Sequence, residues 1–125
     1  MTRIVVDASA MAALVFEEPE GEALARRLEG AALFAPMLLR FELANTAWKK
    51  CRRQPRDSTQ ILSALAKALD ADIAWHDVDL VDAALVARAT GLTTYDASYL
   101  WLAGTLGADL VTLDRRLAAA SAAML

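Results

Sequence analysis

Two short, largely apolar runs end in an aspartate: Ile4, Val5 and Val6 before Asp7, and Leu110, Val111, Thr112 and Leu113 before Asp114. A continuous apolar run without alternation suits a strand covered on both faces, as strands of a parallel sheet are. Between the two runs, apolar residues recur mostly at helical spacing. Leu24 and Leu28 lie i, i+4 on one face of a helix that stops at Gly30, and Leu38, Phe41, Ala44, Asn45 and Trp48 pattern a helix over residues 38–53. Residues 33–35, stopped by Pro36, and the weaker run 73–75 supply two further strands. The chain therefore reads as alternating β and α elements.

Local signals set the expected helix boundaries. Ser9 is expected to cap a helix over residues 10–16, and Pro19 sits in an acidic turn, 17–20, where a first-turn proline would. Pro55 breaks the pattern, after which Asp57 and Gln60 resemble a capping box for a helix through Ile61, Leu62, Leu65 and Leu69. Asp79 is expected to cap a helix that ends at Gly91, and Asp96 to precede a helical run over 99–106 that ends at Gly107.

At 125 residues the chain is one domain, 1–125. It is 57% hydrophobic, yet its longest uncharged stretch, 97–108, falls short of the roughly 18 residues of a membrane span. The first seven residues lack the long apolar core of a signal peptide, so a cytoplasmic protein is expected. Cys51 and His76 are the only residues of their types, which excludes an internal disulfide and a Cys-based zinc finger. A net charge of −3 argues against holding nucleic acid by bulk positive charge. If four carboxylates belong to a metal site, however, the remainder sums to −3 + 4 = +1, and an RNA or phosphate substrate stays open.

In an open α/β sheet, ligands bind outside the carboxyl ends of the strands, which is where Asp7 and Asp114 would lie. Glu42, with Asn45 three residues on, falls in the first turns of a helix, and Asp96 falls beside another helix start, where carboxylates are electrostatically favoured. Four acids with no histidine or cysteine among them form a hard oxygen donor set, suited to Mg²⁺ or Mn²⁺ rather than zinc. Such a site can activate water and stabilise the charge that develops on a phosphoryl group.

The segments Val-Asp-Ala-Ser at 6–9, Phe-Glu-Leu-Ala-Asn at 41–45, Thr-Tyr-Asp-Ala-Ser-Tyr-Leu at 94–100 and Leu-Val-Thr-Leu-Asp-Arg-Arg-Leu at 110–117 resemble the four ordered motifs of the PIN-domain nucleases. Among these the chain is most similar to the small VapC-type toxins of toxin–antitoxin pairs, and the resemblance spans nearly its whole length. It implies a three-layer α/β/α sandwich around a short parallel sheet and a divalent-metal-dependent endoribonuclease that hydrolyses RNA by a metal-activated water. It also implies a cognate small antitoxin and a homodimer. Position by position, Asp7, Glu42, Asp96 and Asp114 match the metal-binding acids, while Ser9, Asn45 and Thr112 match supporting polar positions. The family commonly adds a final short strand after the last helix, and here that edge strand is expected to be missing or rudimentary.

Two other function classes stand beside this one. A phosphatase of the haloacid-dehalogenase type wants a second Asp where Ser9 stands, and a receiver domain wants a lysine near its last strand, where there is none. A non-catalytic binding module of the same fold would have no need of all four acids. Lys49, Lys50, Arg52, Arg53 and Arg56 place five positive charges within eight residues, either as a helix end that compensates the macrodipole or as a patch that tracks an RNA backbone. Trp48, Trp75, Trp101, Tyr95 and Tyr99 are expected mostly in packing rather than in base stacking. His76 is expected in a loop or at the surface, Cys51 without chemistry, and Asp77, Asp79 and Asp82 as caps of the following helix. The 28 alanines and the high apolar fraction suggest that another chain covers part of the surface.

Overall fold

The computed structural model describes residues 1–125. Its elements are β1 (Arg3–Val6), α1 (Ala8–Val15), α2 (Gly21–Leu28), β2 (Ala32–Pro36), α3 (Leu38–Arg53), α4 (Ser58–Leu69), β3 (Ile73–His76), α5 (Leu80–Thr90), α6 (Thr94–Leu106), β4 (Asp109–Val111) and α7 (Arg115–Met124), with a single 3-10 turn at Pro55–Asp57. The four strands form one parallel sheet in the order β3-β2-β1-β4. Val5 pairs with Phe34 on one side and Leu110 on the other, so β1 lies inside the sheet, and Val5 and Val6 are fully buried, as the unbroken apolar run predicts.

Handedness places the helices. The chain moves one way through β1, β2 and β3 and then returns across β1 to β4, so right-handed crossovers put the connections before and after β3 on opposite faces. Accordingly α1 to α4 pack on one another, while α6 packs on β1, β2 and β4 and on its neighbours α5 and α7. The result is the expected α/β/α sandwich. The sheet has four strands, and none follows α7. Leu39 and Leu43 of α3, together with Tyr99 and Leu102 of α6, fill the core against Val5, Val6 and Val111.

Several boundaries differ from expectation for local reasons. Asp7, not Ser9, caps α1, its carboxylate accepting from the Ala10 amide. Pro19 precedes α2 rather than opening it; the helix begins at Gly21, where a β-carbon would lie 2.7 Å from the Ala13 carbonyl oxygen, so α1 and α2 meet there without room for a side chain. Pro36 is the last residue of β2 rather than its terminator. Pairing with β1 ends at Phe34, so no partner on that side misses the proline N–H. Asp57 makes no side-chain cap bond, and α6 begins at Thr94, capped by Thr93, so that Asp96 lies within its first turn rather than ahead of it. β4 stops at Val111, and Thr112 and Leu113 leave the ladder before Asp114 caps α7. His76 is the half-buried end of β3, packed against Phe34. Among the aromatics Tyr99 is buried, but Trp48 and Tyr95 are exposed. Gly91 and Gly107 end α5 and α6 in the left-handed region, as expected of glycine stops.

Candidate active site

The strand order reverses between β1 and β4, and at such a switch point adjacent connections diverge to opposite faces and leave a crevice outside the strand ends. Asp7 follows β1 directly, and Asp114 lies three residues beyond β4. Only 4% of Asp7 is exposed, and its carboxylate is held from three directions. Oδ1 accepts from the Ala10 amide at 3.0 Å and from the Ser9 hydroxyl at 2.8 Å, and Oδ2 accepts from the Thr112 hydroxyl at 2.5 Å. Both hydroxyls also receive bonds from the loop after β4, Ser9 from the Leu113 amide at 2.9 Å and Thr112 from the Asp114 amide at 3.0 Å. These bonds draw Thr112 out of β4 and tie Asp7 and Asp114 to one scaffold. Asp114 accepts from the Leu117 amide at 3.0 Å as the cap of α7.

The other two acids come from helices. Glu42 opens the second turn of α3, and its Oε1 accepts the hydroxyl proton of Tyr99 from α6. Asp96 is the third residue of α6, with its amide donating to the Thr93 hydroxyl at 3.1 Å.

The electrostatics join all four. Burial pushes the Asp7 carboxyl above its ordinary pKa, with Asp114 adding to the rise and the bonds from Thr112, Ala10 and Ser9 opposing it. Burial likewise raises Glu42, against the pull of the Tyr99 bond and with help from the charges of Asp96 and Asp7. Asp96 is raised by burial and then by Asp114 and Asp7, and Arg116 partly offsets this. Carboxylates that feel one another's charge in this way make a site that favours a cation or a proton.

As the side chains lie, no three of them surround a common point closely enough to hold a metal ion directly. The donor chemistry nonetheless fits a hard divalent cation, because Mg²⁺ is commonly held by one or two carboxylates and keeps several of its waters. Asn45 is exposed and makes no side-chain hydrogen bond to the acids.

The basic cluster divides. Lys49, Arg52 and Arg53 surround a shallow hollow beside Trp48, with the Arg52 guanidinium 4.8 Å from the indole centroid. Lys50 points elsewhere, forming a 3.1 Å ion pair with Glu18 and lying over the Phe16 ring. Arg56 is exposed in the 3-10 turn. Two residues that approach the acids are not singled out as site residues by the sequence, Tyr99 and Arg116. Tyr99 stands three residues after Asp96, and i, i+3 spacing on α6 places both on one face, which is a signal the sequence does carry.

Comparison with known proteins bears on the whole chain. The PIN domain model matches residues 4–123. Ribonuclease VapC3 of Pyrobaculum aerophilum is 37% identical over 121 residues, 93% of this chain and 92% of the relative. Ribonuclease VapC12 of Mycobacterium tuberculosis is 34% identical over 116 residues, 92% of this chain and 89% of the relative. Among solved structures, PAE2754 from Pyrobaculum aerophilum superposes with a TM-score of 0.77 at 32% identity, covering 96% of this chain and 86% of that one. VapC20 of Mycobacterium tuberculosis, described as a sarcin-ricin loop cleaving toxin, reaches a TM-score of 0.67 at 17% identity, covering 94% of both chains, and shares the fold.

Proposed function

This chain belongs to the PIN-domain family, and we propose that it is the endoribonuclease toxin of a toxin–antitoxin pair, with Asp7, Glu42, Asp96 and Asp114 holding a divalent cation for RNA hydrolysis. The observation that carries the site is the presence of Asp7, Glu42 and Asp96 at the crevice where the strand order reverses, each carboxyl raised chiefly by burial and further by the charge of at least one other of the four acids. A divalent cation held there, Mg²⁺ or Mn²⁺, would supply an acidified water and positive charge for the phosphoryl transition state.

The chain's own residues do the rest. Ser9 and Thr112 fix the orientation of Asp7 through their hydroxyls, and Thr112 at the same time positions the backbone that presents Asp114. Asn45 lies exposed on the helix that carries Glu42, three residues further along. Lys49, Arg52, Arg53 and Arg56 supply positive charge along and beyond the same helix, toward which a polyanionic backbone would be drawn. Lys50 contributes through its ion pair to the packing of α3 on the α1–α2 connection. RNA, a small antitoxin and a second copy of the chain are the partners of this reading. No helix is long and apolar enough to cross a membrane.

The test is cleavage of RNA by purified protein, first stripped with a chelator and then supplied with Mg²⁺ or Mn²⁺. Asp7→Asn and Asp96→Asn are nearly isosteric but remove an anionic ligand. Each is expected to lower cleavage by about a hundredfold or more, since even residues behind a ligand cost about 10–100-fold. Either folded variant cutting at the wild-type rate would remove that residue from the site.

A further inference from the structure

We propose that Tyr99 is a positioning residue, a fixed post whose hydroxyl holds the Glu42 carboxylate inside the acid cleft in the geometry that binds the divalent cation. The inference deepens the metal-site reading above and rests on it.

The ring of Tyr99 is 1% exposed and packed within the main core, so its hydroxyl is delivered to one place by the body of the protein. That hydroxyl donates to Glu42 Oε1, its one side-chain partner, across 57 residues of sequence. Glu42 needs such a hold. It is a long side chain on a helix surface, and the charges of Asp96 and Asp7 act to repel its carboxylate. A glutamate in that position gains rotamer freedom and relief from like charge by swinging out toward solvent. Asp7 is secured by three donors and Asp114 by its role as a helix cap, but Glu42 has the Tyr99 hydroxyl as its only side-chain donor. Since Asp96 and Tyr99 lie one turn apart on α6, that helix would deliver one acid directly and hold a second through the phenol. Outer partners of this kind orient metal ligands and set affinity.

A purely structural reading predicts something different: the ring fills the core, and Glu42 merely satisfies a buried hydroxyl. Tyr99→Phe separates the two, because it keeps the ring and removes only the hydroxyl. Mn²⁺ is titrated into the apoprotein without RNA, followed by electron paramagnetic resonance, for wild type, Asp7→Asn, Tyr99→Phe, Glu42→Gln and the Tyr99→Phe, Glu42→Gln double variant. Tyr99→Phe is expected to weaken Mn²⁺ binding about tenfold with an unchanged circular dichroism spectrum, and to have no further effect in the Glu42→Gln background.

Should Tyr99→Phe fail to fold, wild-type protein labelled with 3-fluorotyrosine provides a second reading. Mg²⁺ is then expected to shift the Tyr99 fluorine resonance, with exposed Tyr95 as the control, and to lose that effect in Glu42→Gln. Wild-type Mn²⁺ affinity in folded Tyr99→Phe, or a Tyr99 resonance indifferent to Mg²⁺, overturns the positioning role and leaves the metal site standing. Unchanged affinity in both Asp7→Asn and Glu42→Gln overturns the metal site, and the positioning role with it.

Discussion

At the scale of single residues, the Glu42 and Asp96 carboxylates oppose folding so long as no cation neutralises them. Glu42 and Asp96 are raised above ordinary values of 4.5 and 3.8, chiefly by burial. A carboxyl raised in the folded state binds its proton more tightly there than in the unfolded chain. It therefore favours the folded state most at low pH, where both states are protonated, and that advantage is lost as pH rises from the unfolded value through the folded one. Replacing the acid by its amide removes the penalty present at neutral pH. Metal-free Glu42→Gln, whose amide oxygen can still accept from Tyr99, should melt several degrees above wild type at pH 7, and the gap should close toward pH 4. Mn²⁺ should stabilise wild type more than the variant. Thermal melts across pH with and without the cation check both statements, and a gap of constant size would contradict the burial argument.

At the scale of elements, α3 carries core, acid and cations on one stretch of chain. Leu39 and Leu43 are wholly buried on the face toward the sheet, Glu42 turns toward the cleft, and Trp48 and Arg52 face outward. Leu43→Ala should cost about 2–5 kcal/mol in denaturant unfolding, the range for truncating a buried leucine, because the cavity it leaves is walled by neighbouring helices and the sheet. The basic residues divide along the same helix. Changing Arg52 and Arg53 to Gln should flatten the dependence of log affinity for single-stranded RNA on log salt by about 0.7 for each phosphate that the two arginines neutralise. Lys50→Gln should leave that slope alone and lower stability slightly, since its charge is already paired with Glu18. Fluorescence titrations across salt distinguish the two, and an equal effect of Lys50 would contradict the division.

For the whole molecule, three of the most exposed apolar residues sit near the starts of two helices that follow neighbouring strands. Phe41 of α3 is 73% exposed, and Leu80 and Val81 of α5 are 70% and 72% exposed. α3 and α5 rise from the ends of β2 and β3, which are adjacent in the sheet. We expect a second copy of the chain to cover this apolar surface. A homodimer closing over it is expected to sediment as such at tens of micromolar, and Leu80→Glu with Val81→Glu to yield monomer. Those two glutamates sit in the first turn of α5, where negative charge suits the helix dipole, so the helix itself should survive. A wild-type monomer at that concentration would assign the face to another partner, the antitoxin among them.

Much of the architecture is legible from residue order alone. The Leu38–Arg53 helix follows from 3.6-residue periodicity, the inner strands from unbroken apolar runs, and the ends of α5 and α6 from glycines that adopt positive φ at no steric cost. The grouping of four acids at one end of the sheet is legible as well, because two fall at strand ends and two near helix starts, positions with a fixed relation to a parallel sheet. The rest depends on groups far apart in the chain. Ser9 does not cap its own helix because its hydroxyl bonds to Asp7 and receives the Leu113 amide, 104 residues away. Thr112 leaves its strand for the same acid. Lys50 departs from the basic cluster because Glu18 and Phe16 lie beneath it, and Tyr99 reaches Glu42 only because α3 and α6 approach the crevice from opposite layers. Periodicity and capping are properties of neighbours in sequence, whereas a hydrogen bond is decided by distances of about 3 Å that only the assembled layers bring about.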